Sequence, residues 1–156
     1  MTVKLLPMNK ETFKQYYQHH LKEYANEHVK AGNWEEDEAI KKAQDEFNQL
    51  LPEGLATKDH VLFSVLHEEE QIGNLWLHIR IKNQEKQIFI YDIELDEKQR
   101  GKGLGKATME ALDDYAKSEG IKQIRLHVFA HNKRAMALYK KMGYEMTDYH
   151  MQKRLS

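Results

Sequence analysis

No cysteine occurs among the 156 residues, which excludes a disulfide scaffold, thiolate metal ligation and a cysteine nucleophile. That composition fits a reducing cytoplasm. Proline is scarce as well: Pro7 and Pro52 are the two in the chain, so long elements run without interruption. No apolar run approaches the ~20 residues a membrane span needs. The opening Met1-Thr2-Val3-Lys4-Leu5-Leu6-Pro7 is too short and too soon broken for a signal peptide. An excess of charge of one sign is also missing. With 24 Lys and Arg against 25 Asp and Glu, the net charge of −1 argues against a broad nucleic-acid footprint. The expectation is a soluble, cytoplasmic domain with neither nucleic acid nor membrane as a partner.

A chain of this length buries roughly 70% of its unfolded surface, enough for a real core without a covalent staple. There is no internal repeat, low-complexity tract or Gly/Ser linker, so one domain over residues 1–156 is expected.

The run Val3 to Pro7 reads as an opening strand. Phe13, Tyr16, Tyr17, His20, Leu21, Tyr24, His28 and Val29 then recur at helical spacing, and Gly32 suits a helix stop. A second helix is predicted over about 35–51, with Pro52 and Gly54 punctuating its end. The pattern then changes to strands at 60–66, 73–81 and 87–95, joined by polar turns, an antiparallel meander. Within the third strand Asp92 and Glu94 lie two apart and share a face, which leaves Tyr91 on the other. A glycine cluster, Gly101, Gly103 and Gly105, leads into a helix over 104–118, and 124–129 reads as a buried strand. Strand, helix and strand form a crossover that is expected to be parallel and right-handed. Asn132 caps a further helix closed by Gly143, and residues 144–155 are expected to supply one or two final strands. The fold class is α/β (α+β): a mixed, mostly antiparallel sheet with a central β-α-β crossover and helices on both faces.

The segment Leu95-Asp96-Glu97-Lys98-Gln99-Arg100-Gly101-Lys102-Gly103-Leu104-Gly105-Lys106 joins a strand end to a helix start. Glycines there let the backbone approach a ligand and turn its amides toward it. With the helix dipole and the cations Arg100, Lys102 and Lys106, they make an anion site suited to a pyrophosphate. A Walker A loop requires Ser or Thr after Gly105-Lys106, where Ala107 stands. A Rossmann fingerprint requires its third glycine three positions after the second, and Gly105 follows Gly103 by two. Both nucleotide motifs fail.

Arg100-Gly101-Lys102-Gly103-Leu104-Gly105 instead resembles the Arg/Gln-x-x-Gly-x-Gly/Ala loop of the GNAT superfamily of acyl-CoA-dependent N-acetyltransferases. Downstream, Asn132-Lys133-Arg134-Ala135-Met136-Ala137-Leu138-Tyr139 is similar to that family's Asn-x-x-Ala-x-x-x-Tyr helix, and Gly143-Tyr144 to the ending after it. The order of elements agrees along the whole chain. The resemblance departs at Glu97, where many members have proline, and at Gln99, where an aromatic residue often precedes the arginine.

The resemblance implies acetyl-CoA as co-substrate, with no metal. Arg100, Gly101, Lys102, Gly103, Leu104, Gly105 and Lys106 would hold its pyrophosphate. The backbone of Ile93, Glu94 and Leu95 would pair with the pantetheine arm, and Asn132 would touch the cofactor. Tyr139 would protonate the departing thiolate. The implied reaction is direct attack by a primary amine of a small molecule or peptide. A strand-end amide near Leu95 would stabilise the oxyanion. An amine of pKa about 10.4 must lose a proton near neutrality. Asp92 is preferred as that base or as an anchor for the amine, with Glu94 second. The family often dimerises, so a homodimer is allowed by the resemblance.

Plainer readings stand beside these. Tyr139 lies on an apolar helix stripe and can be a core residue. Asp92 and Glu94 can be solvated edge carboxylates. The nine histidines form no ligand run, and His19 and His20 point to different faces, so no metal is expected. Trp76, His78, Tyr24 and Glu27 are candidates for an acceptor pocket, and His127 and His131 for residues flanking the cleft. Two other functions compete with the enzyme: an acyl-CoA-binding sensor without turnover, and a phosphate-binding nucleotide module.

Overall fold

The computed structural model describes residues 2–155. Strand β1 (Val3–Pro7) opens the chain and leads into helix α1 (Lys10–Lys30). Asn9 caps that helix, its Oδ1 accepting from the Thr12 amide at 2.8 Å. Gly32, at φ 79°, takes the left-handed turn that ends it. Helix α2 spans Ala39–Leu50 and so starts later than the pattern suggests. Residues 35–38 instead close a turn, the Glu38 amide donating to the Glu35 carbonyl at 3.2 Å.

Strands β2 (His60–His67), β3 (Glu70–Lys82) and β4 (Glu85–Leu95) form the expected antiparallel meander. Its two tight turns are Glu68-Glu69 and Asn83-Gln84. Both residues of each have positive φ, as a type I′ hairpin requires. Helix α3 (Leu104–Ser118) returns the chain to β5 (Gln123–Leu126), which pairs parallel with β4, and α4 (Lys133–Lys141) follows. The sheet order is β1-β2-β3-β4-β5, antiparallel except for the last pair.

Two cores hold the sheet. Val65, Leu75, Leu77, Ile88 and Ile90 pack with Met109 and Leu112 of α3, and Leu138, Tyr139 and Met142 lie partly buried against them. On the opposite face Leu62 and Trp76 pack with Tyr16, Leu21 and Ala25 of α1 and Ala43 and Phe47 of α2. Helices therefore cover both faces.

Three sequence expectations are corrected here. The final strands over 144–155 are absent. The Tyr144 amide donates to the Tyr139 carbonyl at 2.9 Å, and beyond it no backbone hydrogen bond joins the tail to the rest of the described chain. A strand needs a ladder, and among the described residues the tail forms none with β5 or with any other strand. Strand β5 is also shorter than 124–129, because the chain leaves the sheet after Leu126. Tyr91 does not oppose Asp92. Asp92 pairs with Trp76 and Ile90 with Leu77, so Tyr91 is the extra residue of a β-bulge and turns to the same side as Asp92. Its ring stacks on Trp76, 4.8 Å between centroids.

Candidate active site

The bulge and the short β5 together shape the cleft. Strand β4 pairs with β5 only from Gln87 to Ile90, while its pairing with β3 runs on to Leu95. From Tyr91 to Leu95, β4 therefore has no strand on its other edge among the described residues, and Ile93 and Leu95 lie on that bare stretch. Gly73 makes the close approach of β3 possible here: a Cβ on it would fall 2.1 Å from the Glu94 carbonyl oxygen.

The bare edge runs into the glycine loop. A 3-10 turn, Glu97–Gln99, is followed by Arg100, whose Nε donates to the Leu95 carbonyl at 3.3 Å. Gly101 and Gly103 have φ of 79° and 82°, conformations a side chain would strain. Gly103 is the N-cap of α3 and supplies no side-chain cap, so Leu104, Gly105 and Lys106 open the helix with their amides uncapped by any side chain. Gly105 serves packing as well: a Cβ there would meet Leu138 of α4 at 3.1 Å. Lys106 is exposed, 4.0 Å from Glu110. A further cation, missed in the sequence reading, is Arg134, whose Nη2 lies 3.3 Å from where a Gly101 Cβ would sit. Its place two residues into the Asn132 helix was the available signal. Free amides, a helix N-terminus and cations fit a pyrophosphate. The bare strand edge fits an extended, hydrogen-bonding arm.

Tyr139 is partly buried against the same core as Ile93 and Leu95, its ring 5.7 Å from that of Tyr144. Burial, and then the Asp92 charge, push its pKa up to about 12, so it holds its proton at neutral pH. Asn132 caps α4, its Oδ1 accepting from the Ala135 amide at 3.3 Å.

The two carboxylates of β4 both face α1. Asp92 Oδ2 accepts from the Tyr16 hydroxyl at 2.7 Å and stands 3.3 Å from His20 Nδ1. Burial raises the Tyr16 pKa and Asp92 raises it further, keeping that hydroxyl a donor. Glu94 Oε1 lies 2.7 Å from His19 Nε2. Burial raises the Glu94 pKa, and the hydrogen bond to Glu94 raises that of His19. Tyr16 and His20 escaped the sequence reading as site residues. Their four-residue spacing on a helix was the signal, but the partner 76 residues away was not visible.

Beside this network a cavity of about 30 Å³ is lined by His20, Tyr24, Glu46, Phe47, Trp76 and Tyr91. Tyr24 donates to Glu46 Oε2 at 2.7 Å. Of the acceptor-pocket candidates, Trp76 and Tyr24 meet here. His78 stacks on His60 instead, and Glu27 pairs with His131, tying α1 to the loop after β5. His127 packs edge-on against Phe129. Among the described residues no cluster of three or more His, Asp or Glu could hold a metal ion.

The arrangement combines a bare strand edge, an uncapped helix N-terminus, a protonated phenol and two carboxylates. The profile of the Acetyltransferase (GNAT) family matches residues 13–144. The uncharacterized N-acetyltransferase YycN of Bacillus subtilis strain 168 is 44% identical over 99% of this chain and 100% of its own. A second uncharacterized N-acetyltransferase of that strain, YdgE, is 35% identical over 99% of both. The crystal structure of YycN superposes with a TM-score of 0.95 at 43% identity, covering 99% of each chain. With loop, split strand and Tyr139 helix in that family's order, the chain belongs to the acetyltransferase (GNAT) family.

Proposed function

We propose that the protein is an N-acetyltransferase that moves an acetyl group from acetyl-CoA to a primary amine by direct attack. The observation that carries the reading is the bare β4 edge, Tyr91 to Leu95, ending on the uncapped N-terminus of α3. Acetyl-CoA supplies the activated thioester. Residues 100–106 hold its pyrophosphate through backbone amides and the cations Arg100, Lys102 and Lys106. The backbone of Ile93 and Leu95 binds the pantetheine arm as an added strand would, and Asn132 contacts the cofactor from the start of α4.

On the acceptor side, Asp92 anchors the incoming ammonium or takes its proton, with Glu94 the second candidate. Tyr16 and His20 hold Asp92 in place. An amide near Leu95 stabilises the charge that develops on the carbonyl oxygen. Tyr139, protonated at neutral pH, delivers a proton to the leaving sulfur. The aromatic wall of Tyr24, Trp76 and Tyr91 suits an amine, since cations are attracted to ring faces.

Separate calorimetric titrations with acetyl-CoA, CoA, ATP and NAD test the binding half. Selective micromolar binding of the two CoA species is expected, and equal binding of ATP or NAD would overturn the loop assignment. A thiol-release screen over primary amines tests turnover. CoA binding with no release across the panel would return the acyl-CoA sensor instead.

A further inference from the structure

Helix α1 presents a row of rings at four-residue spacing toward the sheet. Tyr16 and His20 stack 5.3 Å apart, and His20 and Tyr24 stack 5.6 Å apart. Each end of the row holds a carboxylate. Tyr16 donates to Asp92 Oδ2 and Tyr24 to Glu46 Oε2, both at 2.7 Å. The two tyrosines lie two turns apart, about 12 Å along the helix axis.

The two carboxylates differ in their surroundings. Asp92 has His20 Nδ1 3.3 Å away as a second neighbour. Glu46 stands in the wall of the cavity of about 30 Å³ that Trp76 and Tyr91 also line. Among the described residues no lysine, arginine or histidine forms an ion pair with it. His28 lies near enough to feel the Glu46 charge, but burial holds its pKa below the ordinary value, so its ring is neutral at pH 7. Glu46, Tyr24 and Tyr91 are each half-buried, which leaves the cavity open to solvent. Ring faces and an unpaired carboxylate around a space of one or two waters fit an ammonium group. No lysine or arginine lines the cavity, so the carboxylate of an amino acid finds no partner in it.

We propose that Glu46 is a specificity residue for a diamine acceptor: it holds one ammonium of a linear diamine in the aromatic cavity while Asp92 meets the other. The proposal rests on the acetyl-transfer reading and adds to it the class of amine. The nitrogen at Asp92 gives up a proton and gains the acetyl group, CoA leaves as the thiol, and the nitrogen at Glu46 stays charged. The methylene chain between them lies along His20, Trp76 and Tyr91. A product turned end for end offers Glu46 a neutral amide, so the reaction stops at one acetyl group.

Thiol release and calorimetry on the full chain test it, with diaminobutane to diaminooctane set against the alkylmonoamines of the same lengths. The diamines should exceed the monoamines in kcat/KM by about tenfold or more, the worth of one charge-assisted hydrogen bond. Glu46→Gln, which keeps an acceptor for Tyr24, should abolish that preference, and mass spectrometry should find singly acetylated product. Equal rates for diamines and monoamines, or a preference that survives Glu46→Gln, overturn the proposal and leave the acetyl-transfer reading standing. A second acetyl group added as fast as the first overturns it too. Should no amine release thiol, acetyl transfer itself fails, and calorimetry in the presence of CoA decides the pocket. Diamine binding that weakens about tenfold in Glu46→Gln supports the ammonium site, and binding that is absent or unchanged overturns it.

Discussion

Against α3 the sheet is dry. Val65, Leu75, Leu77, Ile88, Met109 and Leu112 are all fully buried, and the fully buried Thr108 returns its hydroxyl to the Leu104 carbonyl at 2.7 Å. Against α1 and α2 the same strands meet a different chemistry. Tyr16, His20, Asp92, Glu94, Trp76 and Tyr91 crowd together, and the polar atoms of this group find partners across elements, Tyr16 on Asp92, His19 on Glu94 and Trp76 Nε1 on His60 at 3.0 Å. The first face is apolar burial that sets where strands lie. The second places ionisable groups in a partly dry setting, where each needs a hydrogen bond to be tolerated and gains a shifted pKa from it. The pleat thus gathers the ionisable cluster on one face, while Tyr139 lies partly buried at the margin of the other.

The largest expected effect breaks the scaffold face. Leu77→Ala leaves a cavity and is expected to cost about 2–5 kcal/mol, read as a drop in urea midpoint. The rate per folded molecule should stay within about twofold at low temperature, because Leu77 is a fully buried core residue with no proposed part in the chemistry. Tyr139→Phe probes the margin of the same core, where Tyr139 is partly buried. Turnover is expected to fall tenfold or more, about 1.4 kcal/mol of barrier. Calorimetry should return an unchanged affinity for CoA, and an effect on affinity alone would remove the acid role.

The pH dependence of stability should also reside on the α1 and α2 face. Burial, and then His78, lower the His60 pKa to about 4. Its folded-state value lies below the unfolded 6.5, so the stabilisation is complete above pH 6.5 and is lost as pH falls toward 4. His60 is partly solvated, which discounts the effect to the order of 1 kcal/mol. Urea unfolding at pH 7 and pH 5 should show that loss, and His60→Gln should flatten it. The smallest effect has the opposite slope. The Glu94 hydrogen bond raises the His19 pKa, so its contribution is present below about 6.5 and fades as pH climbs through the folded value. Half-exposed, it should amount to about 0.5 kcal/mol or less. An NMR titration of the imidazole checks the direction, and His19→Asn should abolish the slope.

Much of the glycine-loop side of the candidate cleft was legible along the chain. Arg100 to Gly105, the Asn132 cap and Tyr139 are local patterns, because amide presentation, capping and helix period depend on residues a few positions apart. The side proposed for the acceptor was legible only in part. Asp92 and Glu94 do share a face. Tyr91 joins Asp92 on it because a bulge breaks the alternation that a strict two-residue period assumes. Tyr16, His20 and Arg134 became candidate site residues through contacts with distant strands and loops. The tail misled for a related reason: whether a terminal segment becomes a strand depends on its pairing with a distant edge, and among the described residues it pairs with none.

By itself the sequence determined the order of helices and strands as far as α4, the glycine loop with its cations, the family, and the residues that end each helix. These follow from short-range sterics, hydrogen bonding and periodicity. The tertiary structure alone decided that β4 parts from β5 after Ile90, that Tyr91 bulges, that α1 delivers Tyr16 and two histidines to the β4 carboxylates, and that residues 145–155 add no strand to the sheet. Each of these is a pairing between segments far apart in the chain, fixed by which surfaces can be buried together and not by any local preference.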